Sequence, residues 1–308
     1  MEAKKIENTV QNQINALKSF QKTYNFDLTF PIMDLDEYVG IISNIGNKDQ
    51  EIKKSKEYAQ FSPEEILRMP KEQTIKQSTT YQVLKGLKKQ NEDSLNYIGG
   101  YIPAPYTLVS LVLELQVASE LMIFEPEFLE SLIIFSNKII KQYAKLISNF
   151  VDTFFILAPS ECTIMKRSYI QYVQESMNNL IEYCVSNLNI PSIMHFCSKK
   201  TGQVVNDDII EPMKEAGIMG LNIPHIIENV EMAKKYELIL CGGIDPVNIQ
   251  IDPEEKTFQQ LEELLTSTRE IRYIFGTNCQ VKWAPGQIES EKLLELYVKL
   301  INIKNSFN

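Results

Sequence analysis

Only two histidines occur in 308 residues, so any imidazole chemistry rests on His195 or His225. The chain has no long polar tract that would have to be disordered. Hydrophobic residues make up 44% and charged residues 23%, a balance that lets a sizeable core form without a large disordered part. Positive charge is in deficit, with 31 Lys+Arg against 40 Asp+Glu and a formal net charge of −9. A phosphate backbone would be repelled on average, which argues against nucleic acid as a partner. The stretch from Met1 to Lys18 lacks the apolar core of a signal peptide. The most apolar run, Leu108–Phe124, carries Glu114, Gln116 and Glu120, too short and too charged a segment to span a bilayer. These features lead to the expectation of a cytoplasmic protein with no membrane partner. Five scattered cysteines and no secretory signal make a disulfide framework a poor explanation, leaving reduced thiols, metal ligands or buried apolar cysteines. No Pro/Gly/Ser linker and no internal repeat breaks the chain, so a single domain over residues 1–308 is expected.

What is present is an alternation of short β-rich runs with longer helical patterns, the signature of a parallel sheet with crossover helices. The runs are Leu28–Met33, Leu95–Ile102, Thr153–Ala158, Ser192–Phe196, Ile218–Ile223, Glu237–Cys241 and Arg272–Phe275. Helical spacing covers Thr107–Leu121, Pro126–Phe150, Arg167–Leu188, Asp208–Ala216, Ile226–Lys235, Glu254–Thr266 and the C-terminal Glu289–Asn302. An α/β barrel of the TIM type is the expected fold, a common solution at roughly 250 residues. An open Rossmann-like sheet is the alternative, but no G-x-G-x-x-G follows any of these runs. Seven strands are visible where a closed barrel wants eight. Nothing strand-like precedes Leu28, because residues 7–24 carry helical spacing with Ile14, Leu17 and Phe20 on one face. The barrel is therefore expected to lack its usual first strand. The polar, Lys-rich segment 46–79 is expected as a surface excursion.

One histidine ends an apolar strand, in Ile193-Met194-His195-Phe196-Cys197. Residues i and i+2 of a strand point to the same side, so His195 and Cys197 face one space. At the C-terminal end of a barrel strand that space is the active-site mouth. Cys279 follows the last strand in Gly276-Thr277-Asn278-Cys279 and would reach the same rim. One imidazole and two thiolates suit zinc, and three protein ligands leave a fourth position open. Read from the residues alone, the same pattern also fits buried cysteines and a packed, hydrogen-bonded histidine.

Four segments resemble the uroporphyrinogen decarboxylase superfamily, and within it the zinc-dependent methylcobamide:coenzyme M methyltransferases. They are Gly99-Gly100-Tyr101-Ile102-Pro103-Ala104-Pro105-Tyr106-Thr107-Leu108, Pro191–Cys197, Leu240-Cys241-Gly242-Gly243-Ile244-Asp245-Pro246, and Gly276–Gly286. The H-x-C with a distant cysteine distinguishes the methyltransferases from the decarboxylases, and all three positions match here. The resemblance implies zinc on His195, Cys197 and Cys279. It implies methyl transfer from a methyl-corrinoid, free or carried by a corrinoid protein, to a small-molecule thiol such as coenzyme M. The early region that carries catalytic arginines and an aspartate in the decarboxylases has no counterpart, which disfavours a decarboxylase. A shortened barrel that binds zinc and a corrinoid without turnover is the rival reading.

Departures from the family pattern mark further candidates. Where relatives carry Asp-Pro after the third run, this chain has Ala158-Pro159-Ser160-Glu161-Cys162, so Glu161 is a candidate substrate contact and Cys162 a spare ligand. Where related methyltransferases carry an acidic residue, this chain has Pro224-His225, and His225 is either a fourth ligand or a residue of the following helix. Asp245 is either an outer-shell partner or substrate contact, or a plain turn residue. Tyr101, Tyr106 and Trp283 either line a flat cofactor's pocket or belong to the core. Cys184 and Cys241 read as packing.

Overall fold

The computed structural model describes residues 9–24, 26–43, 60–90, 96–197, 205–246, 254–279, 295–296, 298–300 and 302. Among them, seven parallel strands lie in sequential order: β1 (Leu28–Thr29), β2 (Tyr97–Pro103), β3 (Thr153–Leu157), β4 (Ser192–His195), β5 (Gly220–Ile223), β6 (Ile239–Ile244) and β7 (Tyr273–Thr277). They curl into a TIM-like half-barrel with its first strand reduced to two residues. The alternation of strand and helix explains the topology, since a parallel neighbour is reached only through a crossover that lays a helix on the outer face.

Side-chain parity splits the core into two layers. Phe154, Ile156, Met194, Phe196, Leu221, Ile223 and Leu240 point outward into the large cluster beneath the helices. Phe155, Leu157, Ile193 and Cys241 point inward, with Phe30, Tyr101 and Ile274 packed against them. A strand that buries both faces reads as a continuous apolar run, which is why Thr-Phe-Phe-Ile-Leu and Ser-Ile-Met-His were recognisable as strands.

Four expectations change. The helix expected over Thr107–Leu121 is two helices, Pro105–Leu113 and Leu115–Phe124, because Glu114 adopts a positive φ of 69° and the chain bends by 110°. Among the described residues no single helix is long and apolar enough to cross a membrane; only this bent pair has the length and composition jointly. The helix expected over residues 7–24 runs Val10–Tyr24 and packs on Thr79–Gln90, with Ile14 seated over Gly86. That contact sets its rotation and leaves Phe20 41% exposed rather than on the buried face. The described part of the polar excursion is not all surface, since Ile66, Leu67 and Ile75 are buried; residues 44–59 lie outside the described residues. Finally, β6 does not stop at Cys241 but runs on to Ile244, because Gly242 and Gly243 take φ of 110° and 107°, which side-chain-bearing residues rarely adopt. Of the expected C-terminal helix, residues 295–296, 298–300 and 302 are described, and Leu296 and Leu300 are buried.

Gly220 opens β5 opposite Ile239, and a Cβ there would lie 2.5 Å from the Ile239 carbonyl oxygen. The obstacle is backbone, so the strands themselves must separate. Gly220→Ala is expected to cost about 1–3 kcal/mol as overpacking and to lower the melting temperature by several degrees in differential scanning calorimetry. An unchanged melting temperature would contradict this close approach.

Candidate metal centre

Three side chains of metal-ligating type meet at the C-terminal rim of the half-barrel. On β4, Ile193 joins the inner cluster while Met194 and Phe196 join the outer one, so parity aims His195 into the barrel. Cys197, two residues further, is exposed on the same side, and His195 is 7% exposed. Cys279 arrives from the end of β7, 82 residues away in sequence, with its Sγ 3.1 Å from that of Cys197. One ligand atom from each of His195, Cys197 and Cys279 lies within 4.8 Å of the others. Zinc bonds to sulfur and nitrogen are about 2.0–2.3 Å long, so a single ion could join atoms this close. An N,S,S donor set of this kind suits zinc better than the harder divalent ions, which prefer oxygen.

Two asparagines that the sequence reading passed over brace this group. Asn222 on β5 is 4% exposed, stands in register between His195 and Cys241, and its Oδ1 contacts His195 Nδ1. Its Nδ2 donates to the Cys241 carbonyl at 2.9 Å. Asn278, next to Cys279, accepts the Gly243 N–H at 2.6 Å and approaches the Pro224 carbonyl at 3.4 Å. It thereby ties the Cys279 turn to the ends of β6 and β5. A lone polar residue at an inward position of Gly-Leu-Asn-Ile was the available signal for Asn222; nothing local marks Asn278.

Tyr101 belongs to the same interior. Its ring stacks on Phe30 with centroids 4.7 Å apart and meets Phe155 edge-on. Desolvation, then the nearby Cys241 and Cys279, push its phenol well above the ordinary tyrosine range, so it stays a neutral donor. Asp245 follows the end of β6, half-buried on the same rim. Burial pushes the thiols of Cys241 and Cys184 up to about 12, which keeps both protonated. Cys241 sits in the inner cluster and Cys184 in the outer core.

Other candidates lie outside this group of three. His225 is half-buried, with Nδ1 3.6 Å from Glu228 Oε1 in the short turn that follows, and it is outside the metal-type group. Cys162 is buried and its thiol points at the Ala158 carbonyl at 3.4 Å. Tyr106 is buried in the outer core, where its hydroxyl is 3.5 Å from Ser119 Oγ. Glu161 is fully buried: its carboxylate accepts the Thr107 N–H at 3.0 Å and meets the Thr107 hydroxyl, capping the helix Pro105–Leu113 from across a loop. Trp283 lies outside the described residues.

The family model for uroporphyrinogen decarboxylase (URO-D) matches residues 32–293. No curated protein matches the sequence. Among solved structures, a methyltransferase from Methanosarcina mazei is similar, with a TM-score of 0.71 at 16% identity over 99% of this chain and 88% of that one. A putative vitamin-B12-independent methionine synthase from Listeria monocytogenes gives 0.55 at 11% identity, over 97% of this chain and 87% of that one. A B12-independent methionine synthase from a Shewanella species, in complex with selenomethionine, gives 0.50 at 17% identity, over 72% and 66%. At these identities the likeness establishes the fold.

Proposed function

The chain belongs to the uroporphyrinogen decarboxylase (URO-D) family, and from that premise we propose that it is a methyltransferase that moves a methyl group from a methyl-corrinoid to a thiol, with zinc held by His195, Cys197 and Cys279. The observation that carries this reading is the meeting of those three ligand atoms within 4.8 Å on the C-terminal rim. The structural likeness to proteins described as methyltransferase and methionine synthase supports it.

Zinc, when bound, would supply Lewis acidity that lowers the pKa of a thiol taken into its open position. In the reaction the thiolate sulfur attacks the methyl carbon in line. The S–C bond forms as the Co–C bond breaks, its electron pair stays on cobalt, and the thiol proton goes to solvent. The neutral imidazole of His195 and two thiolates would leave the centre with little net charge, so the acceptor sulfur keeps electron density for attack. Phe30, Tyr101 and Phe155 form an apolar floor beneath the rim that limits water on the barrel side. Cys197 is exposed, so the methyl donor approaches from the open mouth. We assign Asp245, half-buried just after β6, to contact with the acceptor.

The rival, a barrel that binds zinc and a corrinoid without turnover, draws on the two-residue β1 and on β7, whose residues are all only partly buried. Incubation with methylcobalamin and a thiol separates the two. Demethylation followed in the cobalamin spectrum is expected for the enzyme, and zinc-loaded protein with no spectral change favours the rival. Thiol binding gives a second expected outcome. In calorimetry near pH 7, the observed heat should vary with the buffer's ionisation enthalpy with a slope of about one proton released per thiol, because a bound thiolate leaves its proton behind. A zero slope at full zinc occupancy would rule out the thiolate step.

A further inference from the structure

We infer that Asn222 is a positioning residue that sets the tautomer of His195, leaving its Nε2 lone pair facing the rim before any ligand arrives. The zinc consequence rests on the function proposed above; the tautomer does not.

The argument starts at a main-chain atom. The Cys241 carbonyl can only accept a hydrogen bond, and the Asn222 amide lies 2.9 Å from it. The group facing that carbonyl must therefore be the NH2, and a second carbonyl, of Thr277, lies 3.5 Å from the same nitrogen. With Nδ2 so oriented, Oδ1 is the atom that meets His195 Nδ1. An amide oxygen is only an acceptor, so Nδ1 must carry the proton and Nε2 the lone pair. The chain of bonds crosses three adjacent strands, β4, β5 and β6, along one row of the sheet in which His195 pairs with Asn222 and Asn222 with Cys241. All three members are buried, so water does not compete for these bonds.

The register also excludes substitutes. Gly242 holds a positive φ, and a Cβ there would lie 2.9 Å from Asn222 Nδ2 and 3.0 Å from Asn278 Oδ1. The Gly-Gly stretch thus makes room for the two asparagines as well as carrying β6 onward. An amide also orients the imidazole without adding a negative charge beside two cysteines.

With only two histidines in the chain, both imidazoles can be followed at once by long-range proton–nitrogen correlation in 15N-labelled, metal-free, reduced protein. The spectrum is recorded at about pH 8.5. His195 is expected in the Nδ1–H form. Asn222→Ala is expected to remove the Nδ1–H preference of His195. Asn222→Asp, which keeps an oxygen acceptor towards Nδ1, is expected to retain it. In zinc competition with a chromophoric chelator, Asn222→Ala should bind about 10–100-fold more weakly than the unmodified chain.

A wild-type His195 in the Nε2–H form overturns the inference outright, even if no variant folds. So does an Asn222→Ala protein with unchanged tautomer and unchanged zinc affinity. An Nδ1–H form in wild type, lost in Asn222→Ala, together with no zinc binding at all, upholds the positioning role and removes the metal assignment instead.

Discussion

Replacing Cys197 or Cys279 by serine is expected to take the protein from about one zinc per chain to almost none after purification without added metal. Structural zinc in zinc-finger peptides is bound with apparent free energies of ~10–16 kcal/mol, and on that scale each of three or four ligands carries about 3–4 kcal/mol, or roughly a hundred- to thousandfold in affinity. A serine hydroxyl in place of a thiolate recovers little of it, being neutral and hard where the site is soft. The two sulfurs lie 3.1 Å apart at the mouth, Cys197 exposed and Cys279 half-buried, so purification must be under reductant to keep both as thiols. Cys162→Ala is the matched control. It removes a buried thiol directed at the Ala158 carbonyl and is expected to leave the metal content unchanged. Elemental analysis of the three variants beside the wild type decides the matter, and full zinc retention in both serine variants would end the site assignment. Loss in all three would point to misfolding.

Stability is expected to fall as pH rises from about 4.5 to about 7, with Glu161 as the cause. Burial raises the Glu161 carboxyl from 4.5 to about 7, against the opposing hydrogen bonds from Thr107 and nearby backbone N–H groups. In the unfolded chain the group ionises near 4.5, while in the folded chain it holds its proton up to about 7. Over that window the native state binds more protons than the unfolded state, so raising the pH favours unfolding. Below about 4.5 both states are protonated and the burial costs nothing through this group; above about 7 both are ionised and the cost is complete. A shift of about 2.5 units corresponds to roughly 3 kcal/mol at 1.36 kcal/mol per unit.

Glu161→Gln should remove this slope, since an amide has nothing to titrate. Its carbonyl can still accept the Thr107 N–H, and its NH2 can donate to the Thr107 hydroxyl oxygen. Urea unfolding at pH 5 and pH 8 for both proteins gives the difference. The variant is expected to be the more stable at pH 8 and to approach the wild type at pH 5. Parallel pH dependence in the two proteins would mean that Glu161 is ionised throughout and that the helix N-terminus stabilises its charge more than burial opposes it. The same measurement bears on substrate contact: a carboxyl committed to capping Pro105–Leu113 and closed to solvent has to leave that cap before it can touch a ligand.

The readable part of the fold was the part governed by local period. The inner strands announced themselves because both faces are buried; β1, β3, β4 and β5 fall inside their expected ranges, and β2, β6 and β7 run past their expected ends by one to three residues. Leu28–Met33 shrank to Leu28–Thr29, since β1 has one described neighbour, β2, to hold it in a ladder. The bend at Glu114 was not legible: a positive φ at a non-glycine residue is disfavoured locally and persists only where the surrounding packing over-determines it. The exposure of Phe20 was likewise beyond reach, because a helix with apolar residues at 14, 17 and 20 can turn several ways, and the contact of Ile14 over Gly86 chose one.

For the site, the sequence by itself determined that His195 and Cys197 share a side, because alternation along a strand is a property of the backbone and holds wherever the strand is placed. It also determined that the strands run parallel, since each is followed by a helix long enough to cross over. Tertiary structure decided everything that lies across the sheet. Cys279 comes within 3.1 Å of Cys197 from 82 residues away only when β7 has taken its place beyond β6 and the Asn278 turn is tied down. Asn222 becomes the partner of His195 only through the register of β5 against β4, where a slip of one residue would turn Leu221 or Ile223 inward opposite His195 and leave the imidazole unbraced. Lateral neighbours depend on stagger, curl and loop closure, which sum over the whole chain and leave no trace in any window of it.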